Sequence, residues 1–301
     1  MMRNRSLKKQ VYRDRYLYLI FLPVLAYFIV WHYIPIWGAR IAFQNVKYIG
    51  ENEWVGLKHF KLLFSSPVFF RVFMNTITIS SMKIFFFFPL PILLAFLLNE
   101  VRAQNFRKGV QSMIYLPHFL SWVVIAGIFI SLLQSPDGAV NKMMAFFGAE
   151  PISFMTSTTH IRWVFVGSEI WRSIGWDSIL YIAAINNISL ELYDAATVDG
   201  ATRFQQAMKI TLPSILPTII TVFILNLGFF MNAGFDQVFN MMNDAVINYV
   251  DIIDTYVYRI GLGKGNFSLG TAAGLFKGVI GLFLILSTDR MSRKVTGEGV
   301  W

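Results

Sequence analysis

Ionisable residues set inside an apolar stretch are the first groups that could do chemistry. In WVFVGSEIWRSIGWDSILYIAAI, beginning at Trp163, the run is interrupted by Glu169, Arg172 and Asp177. Carboxylates at membrane depth are costly and could relay protons, which would make the chain a proton-coupled carrier. Glu169 and Arg172 are spaced i,i+3 on one helix face, so pairing between them is the more economical account. Other chemistries lack their residues. There is no cysteine, hence no thiol or disulfide chemistry. His32, His59, His118 and His160 are scattered without metal-ligand spacing and read as packed or interfacial residues. The glycine-rich run GLGKGN from Gly261 lacks the spacing of a nucleotide-binding loop. With no nucleophile elbow and no paired-histidine helix, no catalytic site is expected, nor a metal or cofactor bound by this chain.

A second chemistry-bearing stretch, SLELYDAATVDGATRFQQAMKITLP from Ser189, is polar in an otherwise apolar chain. Ser189 is suited to cap a helix, Glu191 lies in the first turn where the positive helix end favours it, and Gly200 can end that helix. Thr202 with Gln205 three residues later has the capping-box pattern and restarts the chain as helix. The expectation is a helix-glycine-helix elbow, against the plainer reading of a solvated loop. Its small face, Ala195, Ala196 and Ala201 around Gly200, suits close approach to a partner protein.

These residues need elements to position them. At 301 residues with 55% hydrophobic and 14% charged residues, the chain departs from soluble proteins, which carry about 25% charged residues. The expected solvent is lipid. The expected fold is all-α, with six spans at about 16–37, 69–98, 113–133, 161–187, 213–231 and 267–288, and the elbow at 189–211 between the fourth and fifth. Each has roughly the 20 residues needed to cross the hydrocarbon layer. A basic segment 1–15 precedes them and a tail 289–301 follows. Pro89 and Pro91 predict a kink in the second span, which also contains Lys83. The KMMAFFG run from Lys142 reads as a short interfacial helix, and 236–264 as one amphipathic external helix. Gly270, Gly274 and Gly278, four apart, form a stripe that lets another helix approach.

The net charge of +9 matters by its placement. Arg3, Arg5, Lys8, Lys9, Arg13, Arg15, Arg102, Arg107, Lys108, Arg203, Lys209, Arg290, Arg293 and Lys294 fall on one side of a six-span arrangement. They are twice as numerous as the cations on the other. The positive-inside rule then puts both termini and the elbow in the cytosol, and no nucleic acid is implied.

The order Asp194-Ala195-Ala196, Asp199-Gly200-Ala201, Ile210-Thr211-Leu212-Pro213 resembles the EAA signature of permease subunits of binding-protein-dependent type I ABC importers. The resemblance covers nearly the whole chain and is greatest to the oligosaccharide and polysaccharide-uptake branch of the maltose-type permeases. It is carried also by YIPIWGARIAFQNVKY from Tyr33, WVGLKHF from Trp54, YLPHFLSWVV from Tyr115, NAGFDQVF from Asn232, DIIDTYVYRIGL from Asp251 and GEGVW from Gly297. It implies a second, homologous permease subunit, two ATPase subunits that carry ATP and Mg and dock at the elbows, and an extracellular solute-binding protein. The coupling residues would be Glu191, Asp194, Ala195, Ala196, Asp199, Gly200, Ala201, Leu212 and Pro213. One departure is Asp194, where the signature usually has Glu. The carboxylate is one methylene shorter, and Glu191 could take over part of its contact.

For a saccharide, aromatic faces and amides are the matching chemistry. Trp171, Trp176, Tyr181, Asn226 and Asn232 are the candidates along the pathway. Asn226 leads, as an amide among ILNLGFF with no obvious partner. Two other classes stay open from residues alone: an ion-coupled secondary sugar carrier needing no ATPase, and a non-transporting membrane scaffold.

Overall fold

The computed structural model describes residues 13–47 and 49–296. The basic segment 1–12, Tyr48 and the GEGVW ending, on which parts of the sequence reading fall, lie outside the described residues. Among the described residues, the regular elements are helices apart from a two-residue antiparallel pairing of Gln44–Asn45 with Glu53–Trp54. Among the described residues, four helices are long and apolar enough to cross a membrane: Arg15–Phe43, Pro67–Glu100, Arg203–Gly228 and Phe267–Lys294. A fifth candidate is a broken one, Gln104–Phe119 followed by Trp122–Leu133, bent by 103°. The expected third span at 113–133 is therefore not one straight helix. Pro117 sits in the 3-10 turn Leu116–Phe119, and Ser121, in extended conformation, accepts from the Val124 amide at 3.4 Å and starts a new helix.

The segment expected as the fourth span is a single 26-residue helix, Ile161–Asn186. At about 1.5 Å per residue it is long enough to cross a bilayer. It falls outside the apolar set because Arg162, Glu169, Arg172 and Asp177 lie in it. It is also the central packing element. Phe165, Ile161 and Val164 join Ile79, Val238 and Met241 in one cluster, while Tyr181 and Ile185 join Ala95 and Ile215 in another. Lipid is as apolar as leucine, so such clusters stabilise by close packing and polar contacts rather than by exclusion of water.

Two expectations are corrected here. The segment 236–264 is not one external helix but Phe235–Met241, Ile247–Val250 and Ile253–Val257 joined by turns and followed by a π turn. Its apolar positions enter the core, with Val238, Val250, Ile252 and Ile253 fully buried. Packing between helices, not a water-facing side, sets its periodicity. The glycine stripe of the last helix is used at one position within the chain. A Cβ on Gly270 would meet the Gly261 Cα at 2.8 Å, whereas Gly274 and Gly278 face open space.

At Pro89 and Pro91, where a kink is expected, the Pro67–Glu100 helix carries a π turn, Lys83–Phe87, just before Pro89. Proline lacks the N–H of the regular ladder, and the wider turn accommodates it. A short helix, Ala139–Phe146, covers most of the KMMAFFG run, with Phe146 and Phe147 exposed. The first helix stands apart: no residue from Arg15 to Gly38 is buried.

Candidate functional site

Two places bring the sequence candidates together. The first is the elbow, built largely from local interactions. Ser189 Oγ accepts from the Glu191 amide at 3.3 Å and starts the helix Leu190–Val198. That helix ends in a Schellman arrangement: the Gly200 amide donates to the Thr197 carbonyl at 3.1 Å and the Ala201 amide to the Ala196 carbonyl at 2.8 Å. Gly200 adopts φ +75°, which L residues avoid. Thr202 and Gln205 form the capping box in both directions, with the Thr202 amide donating to Gln205 Oε1 at 2.8 Å.

The second elbow helix does not stop before the next span. Arg203–Gln206 passes through a π turn at Ala207–Thr211 into Leu212–Gly228, so the elbow and a long apolar helix are one continuous element. Leu212 and Pro213 follow the π turn within this continuous helix; proline has no N–H to give the regular ladder, and the wider turn before it accommodates the gap. Gln206 Nε2 donates to Thr197 Oγ1 at 3.0 Å and Tyr193 bonds Thr211 at 2.8 Å, which fix the angle between the two helices. Arg203 reaches Glu100 at 2.8 Å and ties the elbow to the end of the Pro67–Glu100 helix. The outer face is apolar: Leu190, Val198 and Phe204 are 76%, 88% and 75% exposed. Glu191, Asp194, Ala195 and Asp199 are exposed beside it, and Ala196 and Ala201 are half-buried.

The second place is a cavity of about 750 Å³ between the middle of Pro67–Glu100, the Ile161–Asn186 helix, Leu212–Gly228 and the loop after it. Trp176, Tyr181, Asn226 and Asn232 all border it, as do Lys83, Glu169 and Asp177. Trp171 does not. At about 100° per residue it lies roughly 140° around the helix from Trp176, and its indole packs edge-on against Phe129. Tyr181 borders the cavity while only 2% exposed, held in the cluster with Ala95 and Ile215. Trp176 is stacked on His118, ring centres 4.4 Å apart and planes 3° from parallel. Asn226 is not without a partner: its Nδ2 donates to the Val222 carbonyl one turn back at 2.9 Å, leaving the amide oxygen available.

The cavity wall holds a polar network that residue spacing alone did not assign. Glu169 pairs not with Arg172 but with Lys83 of another helix, at 2.9 Å. Lys83 Nζ also donates to the Ala233 carbonyl at 2.9 Å and to Gln237 Oε1 at 2.6 Å, so its three protons are all used. Gln237, fully buried, donates to the Phe165 carbonyl at 2.7 Å and to Ser168 Oγ at 2.8 Å, and Ser173 donates to Glu169 at 3.2 Å. A Cβ on Gly234, at φ +98°, would meet Lys83 Nζ at 2.8 Å, so glycine is needed for the ammonium to lie against this loop. Arg172 turns away to the His118 carbonyl at 3.4 Å, its guanidinium 5.1 Å from the Trp122 ring centre. Two opposite charges in separate apolar segments were the available signal, since each needs a partner in lipid.

A bundle of long apolar helices around a polar-lined cavity, with a rigid elbow continuous with one of them, defines a multi-pass membrane permease: a transport subunit rather than an enzyme. The chain belongs to the family described as binding-protein-dependent transport system inner membrane component, whose model matches residues 88–297, and it is an ABC importer permease. It is 42% identical over 302 residues to the polygalacturonan/rhamnogalacturonan transport system permease protein YteP of Bacillus subtilis (strain 168), covering 99% of this chain and 94% of that one. Among solved structures, it superposes with a TM-score of 0.91 and 39% identity on a chain of a bacterial ABC transporter involved in import of the acidic polysaccharide alginate, over 97% of this chain and 100% of that one. The alginate transporter in complex with an alginate pentasaccharide-bound periplasmic protein matches equally well, TM-score 0.91, over 98% of this chain.

Proposed function

We propose that this chain forms half of the translocation pathway of an ATP-driven importer for oligosaccharides or polysaccharide fragments, in the plasma membrane of a bacterium. The observation that carries the reading is 42% identity across 99% of the chain to a permease named for polygalacturonan and rhamnogalacturonan transport. The cavity agrees with it chemically. Trp176 offers an aromatic face, and Asn226 and Asn232 offer amides that both donate and accept.

The partners in this reading are a second homologous permease, two ABC ATPases carrying ATP and Mg, and an extracellular solute-binding protein. The chain itself binds no cofactor. Counting the bent pair and the Ile161–Asn186 helix as one span each alongside the four apolar helices gives six, with both termini and the elbow in the cytosol by the distribution of cations. Leu190, Val198 and Phe204 enter a groove on an ATPase, with Asp194 and Glu191 meeting its cations. Closure of the ATPases moves the elbow, and the continuous helix to Gly228 carries that motion to the cavity wall.

The test is reconstitution. Uptake of radiolabelled oligosaccharide into proteoliposomes is expected only when this chain is combined with the second permease, both ATPases, the binding protein and ATP. Ion-driven uptake by this chain alone would overturn the reading in favour of a secondary carrier. An assembled complex whose ATPase rate ignores saccharide would favour a scaffold.

A further inference from the structure

Three ionisable residues border the cavity: Lys83, Glu169 and Asp177. Lys83 and Glu169 neutralise one another at 2.9 Å, and the remaining lysine protons are taken by Ala233 and Gln237. Arg172, five positions before Asp177 on the same helix, is directed to His118 and Trp122. Asp177 is different. Among the described residues it takes part in no hydrogen bond and no ion pair, and it is exposed on the cavity side next to Trp176. Among the described residues bordering the cavity, this chain therefore presents one carboxylate without a bonded partner beside an aromatic face, and no free cation.

A carboxylate only accepts hydrogen bonds, through about four lone-pair positions. The hydroxyls of a neutral sugar residue supply matching donors, while the adjacent indole covers the C–H face of the ring. A uronate brings a second negative charge to the same place. Even at the dielectric of bulk water, two like charges about 4 Å apart differ from a neutral pair by roughly fivefold in affinity, and more in a drier cavity.

We propose that Asp177 is a specificity-determining group of the pathway, accepting hydroxyl hydrogen bonds from a neutral sugar residue and disfavouring a uronate in that position. The inference rests on the reading of this cavity as a saccharide pathway, and it bears on substrate class at this wall only.

The test uses the complete complex of both permeases and both ATPases in nanodiscs, without binding protein, titrated at low salt with two tetrasaccharides of the same linkage. Galactotetraose and tetragalacturonate differ at C6, hydroxymethyl against carboxylate. Asp177→Asn is expected to shift the ratio of the two Kd values toward tetragalacturonate by about fivefold or more, and Asp177→Glu, which keeps the charge, to preserve the wild-type ratio. Asp177→Ser supplies a second neutral variant should the amide disturb assembly. A Kd ratio that is the same in wild type and in the neutral variants overturns the inference. Failure of the full set of partners to take up any saccharide would instead defeat the reading of the cavity itself.

Discussion

Replacing Lys83 with Met tests whether the cavity wall is held by charge. Lys83 and Glu169 side chains are 13% and 18% exposed, so solvent screens them little. Methionine keeps the length of the side chain and removes the ammonium. Glu169 then stands in a largely apolar surrounding with Ser173, at 3.2 Å, as its remaining donor. Removing one partner of a buried pair typically costs about 3–5 kcal/mol, because the other charge is left uncompensated. The Ala233 carbonyl and Gln237 Oε1 lose a donor as well, each worth about 1–3 kcal/mol if left unsatisfied. The assay is reversible SDS unfolding of the purified chain in mixed micelles, for Lys83→Met, Glu169→Gln and the double variant. Polar contacts between membrane helices average only about 0.6 kcal/mol of coupling, so a coupling above about 1.5 kcal/mol marks a charge pair held by the fold. Lys83→Met should lower stability by about 3 kcal/mol or more, and the double variant should recover part of it. A Lys83→Met midpoint equal to wild type, or a coupling near zero, refutes the reasoning.

Other outcomes follow from the same geometry. Gly200→Val forces an L residue to φ +75°, a conformation that costs about 1–2 kcal/mol. It should abolish ATP-dependent uptake while the protein stays in the membrane; uptake at the wild-type rate would count against the elbow as the transmitter. Thr202→Ala deletes the capping box and should cost about 1 kcal/mol locally, read as faster amide exchange over Arg203–Gln206. Unchanged exchange there would show that the helix is held by its continuation into Leu212–Gly228 alone. Gly270→Ala, whose Cβ meets the Gly261 Cα at 2.8 Å, should lower the unfolding midpoint, whereas Gly274→Ala, facing open space in this chain, should not. Equal effects in the isolated chain would contradict the packing described for the last helix.

The elbow was legible in the sequence because its determinants are local. Ser189, Gly200, Thr202 and Gln205 act on amides within a few residues, and such interactions depend little on what surrounds them. The cavity wall was legible only in its ingredients. Glu169 and Arg172 are helix neighbours and could pair, yet Glu169 turned to Lys83, 86 positions away, and Arg172 to His118. Spacing along one helix says which groups can meet, and packing of other helices decides which do. Trp171 and Trp176 are equivalent by residue type, but one helix rotation puts Trp176 on the cavity and Trp171 against Phe129.

From sequence alone, composition determined that the chain lies in lipid, and the capped polar stretch with its signature pointed to the permease family, because both depend on residue type and short-range order. Tertiary structure alone decided the break at Pro117, the burial of 236–264 and the saturation of Lys83. It also left Asp177 as the one free carboxylate among the described residues bordering the cavity. Those depend on contacts between segments far apart in the chain, where the cost of an unpaired group in lipid selects one arrangement from several that the sequence allows.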